Sequence, residues 1–208
     1  MKPIILIGGG GHCKSVIDTA ESAGFTIMGV LDQPEKVGKE ILGYKCIGTD
    51  EDIPNYVSKA DFVITVGQIK SSAIRHKIAQ LVEKAGGKLA TIIASDAYVS
   101  KYARVEEGSV ILHKAFINAG AIIGKNCIIN TMANIEHDVR IGDFCHISTG
   151  TMVNGEAVVG DDCFVGSRSV LYNCISLCKS VIIAAGSIVN KDVAKPGVYA
   201  GNPIEFIK

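Results

Sequence analysis

The residue types best suited to chemistry in this sequence form a short run around one histidine. His137 is flanked by Glu136 and Asp138. A neighbouring carboxylate orients an imidazole and raises its basicity, which a general base acting near neutral pH requires. Because side chains alternate faces along a strand, both acids would point away from the imidazole unless a turn re-aims one of them. A turn after the histidine favours Asp138, so we predict that His137 is a catalytic base supported by Asp138.

The elements that must position this run follow from a repeat of six residues. An aliphatic residue occurs at every sixth position from Ile93 to Val189, and the side chain four residues after each is usually small. This pattern predicts a parallel β-helix built from hexapeptide repeats, in which each short strand turns a corner every six residues. Neither the helical period of 3.6 nor the strand period of 2 explains it. The handedness of the β-helix is not contained in the pattern.

Three hexads make one coil of such a β-helix, so residues eighteen apart stack on each other. The residue stacked on His137 is Gly155. A glycine there lets a ligand approach closely and leaves its N–H free to hold a developing oxyanion. His146 lies one and a half hexads after His137, on a different side of the coil. If both serve one site, that site lies between subunits of a closed cyclic oligomer; otherwise His146 makes a subunit contact alone.

Residues 1–90 have a different pattern, which predicts a Rossmann-like α/β domain before a β-helix domain over residues 91–208. The expected helices face the sheet with Val16, Ile17 and Ala20 in the first, and with Ile74, Ile78, Leu81 and Val82 in the second. The predicted elements, in chain order, are a strand at 4–7, a glycine run at 8–11, a helix at 14–23, strands at 26–31 and 62–66, a helix at 72–84 and a strand at 89–93.

The glycine run opens a helix directly after a strand, which exposes backbone N–H groups and a positive helix end to phosphates. Asp32 closes the second strand, where a ribose hydroxyl would lie. Cys13 stands at the third glycine position of a dinucleotide fingerprint, and its Cβ argues against an NAD site. The run therefore favours a phosphate or nucleotide ligand, with His12 facing it. The alternative is a tight turn without a ligand, in which His12 and Asp32 only cap local structure.

Composition limits the classes of partner and the cellular location that we expect. The chain of 208 residues has 21 basic and 21 acidic side chains, which favours neither a nucleic-acid nor a membrane-surface partner. We expect no membrane segment, no signal peptide and a cytoplasmic location. Cys127, Cys145 and Cys163 occupy small positions of the hexads and are predicted to be buried small hydrophobes rather than disulfide or metal ligands. His113 is expected on the surface or at a subunit contact, with no carboxylate beside it.

Several motifs together resemble a known family. They are Gly8–His12 after the first strand, Val30–Asp32 after the second, Val66–Gly67 after the third, Ile135–Asp138 through Gly142–His146, and the tail Gly201–Pro203. The whole chain resembles the bacterial sugar acetyltransferases of the hexapeptide-repeat superfamily that join a small Rossmann-like domain to a left-handed β-helix. This group includes sialic-acid O-acetyltransferases and the N-acetyltransferases of UDP-linked and other nucleotide-linked 4-amino-6-deoxy sugars used in bacterial surface glycans and glycoproteins.

The resemblance implies a homotrimer with acetyl-CoA in the groove between adjacent β-helices, active sites between subunits, and no metal. It implies that His137 is the base and Asp138 the acid that raises its basicity. Two further sets of residues carry over from the family. The residues implied for the acetyl-CoA groove are His146, Gly155, Ser167 and Ala185. Those implied for the nucleotide-sugar are Gly10, Gly11, His12, Asp32, Gln33 and Gly67. Gln33 departs from relatives that have a second Asp there, which leaves the nucleotide open.

The activity that these residues favour is direct N-acetylation of a nucleotide-linked amino-deoxy sugar, with His137 taking the amine proton and Gly155 holding the oxyanion. O-acetylation of a sialic acid or another sugar hydroxyl uses the same base and stays open. A zinc enzyme resembling the gamma carbonic anhydrases would need three histidines, but the intervals among His113, His137 and His146 do not fit that family. A nucleotide-binding trimer without catalytic activity is the last alternative.

Overall fold

The computed structural model describes residues 2–208, which divide into two compact units. The first contains the residues up to Gly67 together with Ala73–Ser95, and the second contains Gln68–Ser72 together with Asp96–Lys208. The short segment Gln68–Ser72 is thus part of the second unit although the first unit surrounds it in sequence. No helix within residues 2–208 has the length and apolar character required to cross a membrane.

The first unit is an α/β fold around one sheet. Its strands and helices are β1 (Ile4–Ile7), α1 (Gly11–Ser22), β2 (Ile27–Leu31), β3 (Glu40–Ile41), β4 (Tyr44–Gly48), β5 (Asp61–Ile64), α2 (Ala73–Lys84) and β6 (Ile92–Ile93), with 3₁₀ helices at Pro34–Lys36 and Asp50–Asn55. The strand order is β3-β4-β2-β1-β5, and all pairs are parallel except β3 with β4. The β1–α1–β2 crossover therefore places the glycine run at the carboxyl edge of the sheet.

Packing in this unit confirms one predicted helix face and corrects the other. Val16, Ile17 and Ala20 of α1 are buried, as their spacing predicts. Ile74 of α2 was expected to face the sheet, and this is wrong, because its side chain is 62% exposed. Arg75 takes the inward place and is 1% exposed, in register with Ile78 and Val82.

Element boundaries also differ from expectation at several points. The helix predicted from Lys14 begins already at Gly11, and the strand predicted to Val66 ends at Ile64. The β3–β4 hairpin and both 3₁₀ helices were not predicted. The first strand of the hairpin has only two residues, and the hairpin turns through Leu42 and Gly43 with φ of 48° and 85°. A leucine is unusual in that conformation, so the sequence carries no ordinary turn signal there.

The second unit is the β-helix that the hexads predict. Its two- and three-residue strands repeat every six residues: β7 (Tyr98–Val99), β8 (Arg104–Val105), β9 (Val110–Ile111), β10 (Phe116–Ile117), β11 (Ile122–Ile123), β12 (Ile128–Ile129), β13 (Asn134–Ile135), β14 (Arg140–Ile141), β15 (His146–Ile147), β16 (Met152–Val153), β17 (Val158–Val159), β18 (Phe164–Val165), β19 (Val170–Leu171), β20 (Ser176–Leu177), β21 (Val181–Ile183) and β22 (Ile188–Val189). The chain ends in β23 (Gly197–Ala200) and β24 (Glu205–Phe206), which pair antiparallel.

The strands form three flat faces, and each strand pairs with the strand three further along the chain. The first face runs β22-β19-β16-β13-β10-β7, the second runs β20-β17-β14-β11-β8, and the third contains β21-β18-β15-β12-β9. Partner residues are eighteen apart, as in Ile117 with Ile135, which confirms the three-hexad coil. The large position of every hexad from Ile111 to Val189 is buried, so these side chains form one continuous core inside the coil.

Cysteines at the small positions of the hexads form hydrogen bonds in addition to fitting a narrow space. Cys127, Cys145 and Cys163 are free and fully buried, as predicted. Their thiols also donate to backbone carbonyls: Cys145 Sγ lies 3.0 Å from the Gly160 oxygen, and Cys127 Sγ lies 3.0 Å from the Gly142 oxygen. The neighbouring thiols of Cys127 and Cys163, followed by burial, raise the pKa of Cys145, so it stays protonated as a donor.

Candidate active site

The first part of the site is the pair formed by His137 and Asp138. Both follow β13, at a corner of the coil, and their side chains are 51% and 63% exposed. His137 Nδ1 lies 3.0 Å from Asp138 Oδ2. The carboxylate accepts this bond, so Nδ1 carries the proton and Nε2 presents its lone pair. An imidazole held in this tautomer can take a proton at Nε2.

The corner turn explains how adjacent residues can meet. Asp138 has a φ of 61°, in the left-handed region, and Gly120, Glu156 and Cys174 occupy the same corner position with φ of 77°, 63° and 61°. Each coil therefore turns this corner through a left-handed residue, a conformation that aspartate tolerates better than most side chains. The turn carries the carboxylate to the same side as the imidazole.

Glu136, the other acid of the run, has different partners. Its carboxylate accepts hydrogen bonds from Asn118 Nδ2 at 2.7 Å and from Asn134 Nδ2 at 3.0 Å. The Ala119 N–H donates to Asn118 Oδ1, which fixes the orientation of that amide. The bonds from Asn134 and Asn118 lower the pKa of Glu136 and keep it ionised. Glu136 thus supplies negative charge near the imidazole while Asp138 supplies the hydrogen bond.

These acids change the protonation of the histidine. The hydrogen bond to Asp138 raises the pKa of His137, and the charges of Asp138, Glu136 and Glu156 act in the same direction against a smaller opposing effect of burial. The neutral form predominates only above this raised pKa. A base with this raised pKa accepts a proton more readily. As the pH is lowered, however, it becomes protonated and inactive at a higher pH than an isolated histidine would.

Two glycines make room for the pair. A Cβ built on Gly155 would lie 2.6 Å from His137 Nε2 and 2.7 Å from Cε1, so the imidazole rests directly on this glycine. A Cβ built on Gly120 would overlap the Asp138 carboxylate. Gly155 is buried, its carbonyl accepts from the Cys174 N–H, and its own N–H has no hydrogen-bond partner within residues 2–208. Sequence reasoning missed Gly120, although it lies eighteen residues before Asp138.

His146 lies on a different face of the coil from His137, because β15 belongs to the third face and β13 to the first. It is 8% exposed, and both ring nitrogens have partners in the same unit. Nδ1 lies 2.6 Å from the Gln68 carbonyl oxygen, and Nε2 lies 3.0 Å from Asn130 Nδ2. Its ring also packs against that of Phe164 in a T-shaped arrangement with a centroid distance of 5.2 Å.

Ser167 and Ala185 lie on a third part of the β-helix. They follow β18 and β21 and stack at one corner, whereas His137 and Gly155 follow β13 and β16 at another. Ser167 Oγ lies 2.9 Å from Ser148 Oγ. Of the residues expected to line an acetyl-CoA groove, Gly155 therefore lies at one corner of the coil and Ser167 and Ala185 lie at another, while His146 lies on a strand of the third face.

In the first unit, the glycine run and Asp32 form one loop. Asp32 Oδ2 accepts the Gly9 N–H at 3.0 Å, and Oδ1 accepts the Gln33 N–H at 2.9 Å. A Cβ on Gly9 would collide with Asp32 and with the Ile41 side chain. Around Gly10 and Gly11, by contrast, a Cβ would meet nothing within 4 Å. The fold of the chain does not require glycine at these two positions, which precede and begin α1.

His12 and Gly67 meet at the same edge of the sheet. A Cβ on Gly67 would lie 3.6 Å from His12 Cβ, an ordinary contact distance. Arg75, which sequence reasoning missed, supports this edge, because its Nη1 donates to the carbonyls of Val66 at 2.6 Å and Ile64 at 3.3 Å. The only signal for Arg75 in the sequence is its helical register with Ile78 and Val82.

A metal site would require several histidine, cysteine or carboxylate side chains close together. His113 was expected to lack a carboxylate neighbour, and this is wrong, because its Nδ1 lies 2.6 Å from Asp96 Oδ1. The two residues are seventeen apart, nearly one coil, so the turn before β7 brings the acid beside the ring. Within residues 2–208 no group of three or more His, Cys, Asp or Glu side chains is arranged to hold a metal ion.

Parts of the chain match known families and one viral protein. Residues 3–82 match the family model of the PglD N-terminal domain, and residues 156–191 match that of the hexapeptide repeat of succinyl-transferase. Over 108 residues the chain is 34% identical to uncharacterized protein L142 of Acanthamoeba polyphaga mimivirus; the match covers 52% of this chain and 21% of the viral protein. The chain thus spans about a fifth of that relative.

Solved structures of acetyltransferases match the whole chain. The acetyltransferase domain of PglB from Neisseria gonorrhoeae is 28% identical with a TM-score of 0.91, each chain being covered completely, and it has also been solved with acetyl coenzyme A. A mutant of perosamine N-acetyltransferase from Caulobacter crescentus, in complex with CoA and GDP-perosamine, is 26% identical with a TM-score of 0.93, covering 100% of this chain and 98% of the other.

The two units and these matches define a hexapeptide-repeat acetyltransferase, an α/β domain followed by a left-handed parallel β-helix. Within that class the chain is similar over its whole length to the PglB acetyltransferase domain and to perosamine N-acetyltransferase, and its residues 3–82 match the PglD N-terminal domain.

Proposed function

We propose that this protein transfers the acetyl group of acetyl-CoA to the amine of a nucleotide-linked amino-deoxy sugar. The observation that carries the proposal is the imidazole of His137, held by Asp138 and resting on Gly155. The full-length similarity to the PglB domain and to perosamine N-acetyltransferase supports the amine acceptor and the CoA donor.

The reaction is direct transfer. The sugar amine attacks the thioester carbonyl, Nε2 of His137 takes the proton that the amine loses, and the carbon–sulfur bond breaks to release CoA thiolate. Asp138 stabilises the imidazolium formed at Nε2 through the Nδ1–H bond. The N–H of Gly155, the glycine on which the imidazole rests, donates to the oxyanion of the tetrahedral intermediate. The imidazolium finally returns its proton to the thiolate, so no residue is acylated.

The nucleotide-sugar binds at the carboxyl edge of the first unit, on Gly10, Gly11, His12, Asp32, Gln33 and Gly67. The open space around Gly10 and Gly11 supports this assignment, because no contact within the chain requires glycine there and a ligand can approach the backbone closely. The N–H groups at the start of α1 suit a diphosphate. We propose that residues 1–90 bind this substrate and residues 91–208 perform the acetyl transfer.

The active enzyme is a homotrimer, with acetyl-CoA in the groove between neighbouring β-helices. The first face of the coil supports this assembly because its outward side chains include Tyr98 and Phe116, which are 55% and 36% exposed and stack at 4.9 Å, and Met152, which is 38% exposed. An exposed apolar stripe of this kind is typical of a subunit interface. Asn134, beside the His137 run, lies on this face.

In such a trimer the corner with His137 and Gly155 meets the neighbour's corner with Ser167 and Ala185, and the groove between them takes acetyl-CoA. We also propose a cytoplasmic location. Its support is the set of seven free cysteines, which suits a reducing compartment, and the donor, acetyl-CoA, which the reaction needs there.

The acceptor is tested by mass spectrometry of acetyl transfer to a panel of UDP- and GDP-linked 4-amino sugars, with free and CMP-linked sialic acids beside them. The proposal predicts a gain of one acetyl group on an amino sugar, at the amine. Acetylation of sialic acids alone would reassign the enzyme to O-acetylation. If acetyl-CoA binds but no compound on the panel is acetylated, the acceptor class is wrong.

A further inference from the structure

The peptide unit that joins Gly8 to Gly9, directly after β1, is held by side chains at both of its polar ends. Its carbonyl accepts the hydroxyl of Thr65 at 2.6 Å. Its N–H donates to Asp32 Oδ2 at 3.0 Å. Because a peptide unit is planar, a bond at the carbonyl and a bond at the N–H together fix the orientation of the whole plane.

The backbone alone does not fix this plane. Glycine lacks a Cβ and adopts many combinations of φ and ψ, so a peptide between two glycines can rotate between several orientations. Gly8 has a φ of 105°, in a region that residues with a side chain rarely adopt. Gly8 also lies directly on Val66, because a Cβ built on this glycine would overlap Val66 Cγ2. The orientation of the Gly8–Gly9 peptide therefore depends on its two side-chain hydrogen bonds.

Thr65 presents its hydroxyl from a fixed position. Its side chain is fully buried directly after β5, and its N–H donates to the Ile7 carbonyl at 2.9 Å. A β-branched side chain has few rotamers, so the hydroxyl keeps one direction. The same hydroxyl neighbours the Cys13 thiol. Burial raises the pKa of Cys13 to about 11 and the Thr65 hydroxyl opposes this rise, so the thiol stays neutral beside it at neutral pH.

The backbone around Thr65 is fixed by α2. Arg75 of this helix is 1% exposed, and its Nη1 donates to the Val66 carbonyl at 2.6 Å and to the Ile64 carbonyl at 3.3 Å. These carbonyls belong to the residues on either side of Thr65. The guanidinium therefore holds the chain on both sides of the threonine, and the hydroxyl has little freedom to move away from Gly8.

The other end of the same peptide orients the carboxylate of Asp32. Oδ2 accepts the Gly9 N–H, and Oδ1 accepts the Gln33 N–H at 2.9 Å. A carboxylate oxygen has two lone pairs, so each oxygen can still accept a bond from a ligand hydroxyl. A rotation of the Gly8–Gly9 peptide would remove the bond to Oδ2 and release the carboxylate on that side. Thr65 and Asp32 thus hold opposite ends of one peptide.

We propose that Thr65 is a positioning residue for the nucleotide-sugar, which sets the Gly8–Gly9 peptide and, through it, the glycine run and the Asp32 carboxylate. The inference rests on the proposed function in one respect, since glycines of this run and Asp32 are assigned to that substrate. Because Thr65 is fully buried, it acts through these groups and not by contact with the substrate.

Conservative substitutions isolate the hydroxyl. Thr65→Val keeps the β-branched shape and removes the hydrogen bond, whereas Thr65→Ser keeps the hydroxyl and removes the methyl group. The matched control is Thr19→Val in α1, because Thr19 is also fully buried and its Oγ1 donates to the Ser15 carbonyl at 2.8 Å. Each valine variant loses one buried hydroxyl–carbonyl bond, so both should lower the midpoint of thermal unfolding by a similar amount.

Binding is measured by calorimetry with UDP and with GDP, each of which carries a ribose and a diphosphate, and with CoA. We expect Thr65→Val to weaken nucleotide binding about tenfold, the effect of one buried hydrogen bond, and Thr65→Ser to weaken it less than about threefold. Thr19→Val should change it less than about twofold, and CoA binding should stay within about twofold in every variant. Equal weakening in the two valine variants, or none in Thr65→Val, would overturn the proposal.

Amide hydrogen exchange tests the positioning role without any substrate. The Gly9 N–H should exchange about tenfold faster in Thr65→Val than in the wild type, and near the wild-type rate in Thr65→Ser and Thr19→Val. Unchanged exchange at Gly9 in Thr65→Val would refute the role of the hydroxyl even if nucleotide binding weakens. If wild-type protein binds neither nucleotide, the function proposed for the first unit fails, and the exchange rates still decide whether Thr65 holds the peptide.

Discussion

Replacing Gly155 by alanine should disable the base while leaving the fold intact. Gly155 has no positive φ, so alanine fits the backbone. The new methyl would lie 2.6 Å from His137 Nε2, whereas ordinary contact begins near 3.4 Å, so the imidazole must move by about 0.8 Å. His137 is half exposed and can move. A displacement of about 1 Å at a reacting atom costs on the order of a hundredfold in rate.

The assay is steady-state acetylation followed by thiol release, with thermal unfolding measured on the same samples. We expect kcat to fall about a hundredfold and the free energy of unfolding to change by less than about 1 kcal/mol. In a His137→Ala background, Gly155→Ala should have no further effect on kcat. The contrast is Gly166→Ala, whose Cβ would lie 2.5 Å from the Ala185 backbone nitrogen and which should destabilise the coil. An unchanged kcat in Gly155→Ala would refute the assigned geometry.

Three further predictions test other parts of the account. Asp138→Asn removes the carboxylate that raises the pKa of His137, so the acid limb of the pH–rate profile should move to lower pH while the plateau falls roughly tenfold. An acid limb that does not move would mean that it does not report the ionisation of His137. Cys145→Ala removes the thiol donor to a carbonyl and should lower the free energy of unfolding in urea by about 1–2 kcal/mol, whereas Cys145→Ser should lose less; equal losses would argue against the hydrogen bond. Phe116→Asp places a charge on the first face and should yield monomers by light scattering with loss of activity; an intact trimer would move the interface elsewhere.

The hexad repeat allowed much of the β-helix to be predicted, because a period of six with stacking at eighteen leaves one register. The same rule alone predicts that Gly155 stacks on His137, as it does. The contact between Asp138 and His137 was also accessible, since a turn was needed for adjacent side chains to meet. Gly120 could have been found in the same way, by counting eighteen residues back from Asp138.

Other features depend on tertiary contacts that local patterns do not encode. Ile74 and Arg75 are adjacent in α2, and hydrophobicity alone assigned the inward position to isoleucine. The buried guanidinium is stabilised there by the carbonyls of Ile64 and Val66. The hydrogen bond of His146 likewise depends on Gln68, 78 residues away in the chain. Handedness is another such feature, because the hexad pattern is the same for either hand.

The central claim is that His137 removes the proton from the acceptor amine. The most direct test is the rate of acetyl transfer by His137→Ala at a pH above the pKa of the wild-type histidine, together with calorimetric binding of acetyl-CoA and of the nucleotide-sugar. The account predicts a fall in kcat of about a hundredfold to ten-thousandfold with both affinities within about threefold of wild type. Transfer at the wild-type rate by a variant that still binds both substrates would contradict it.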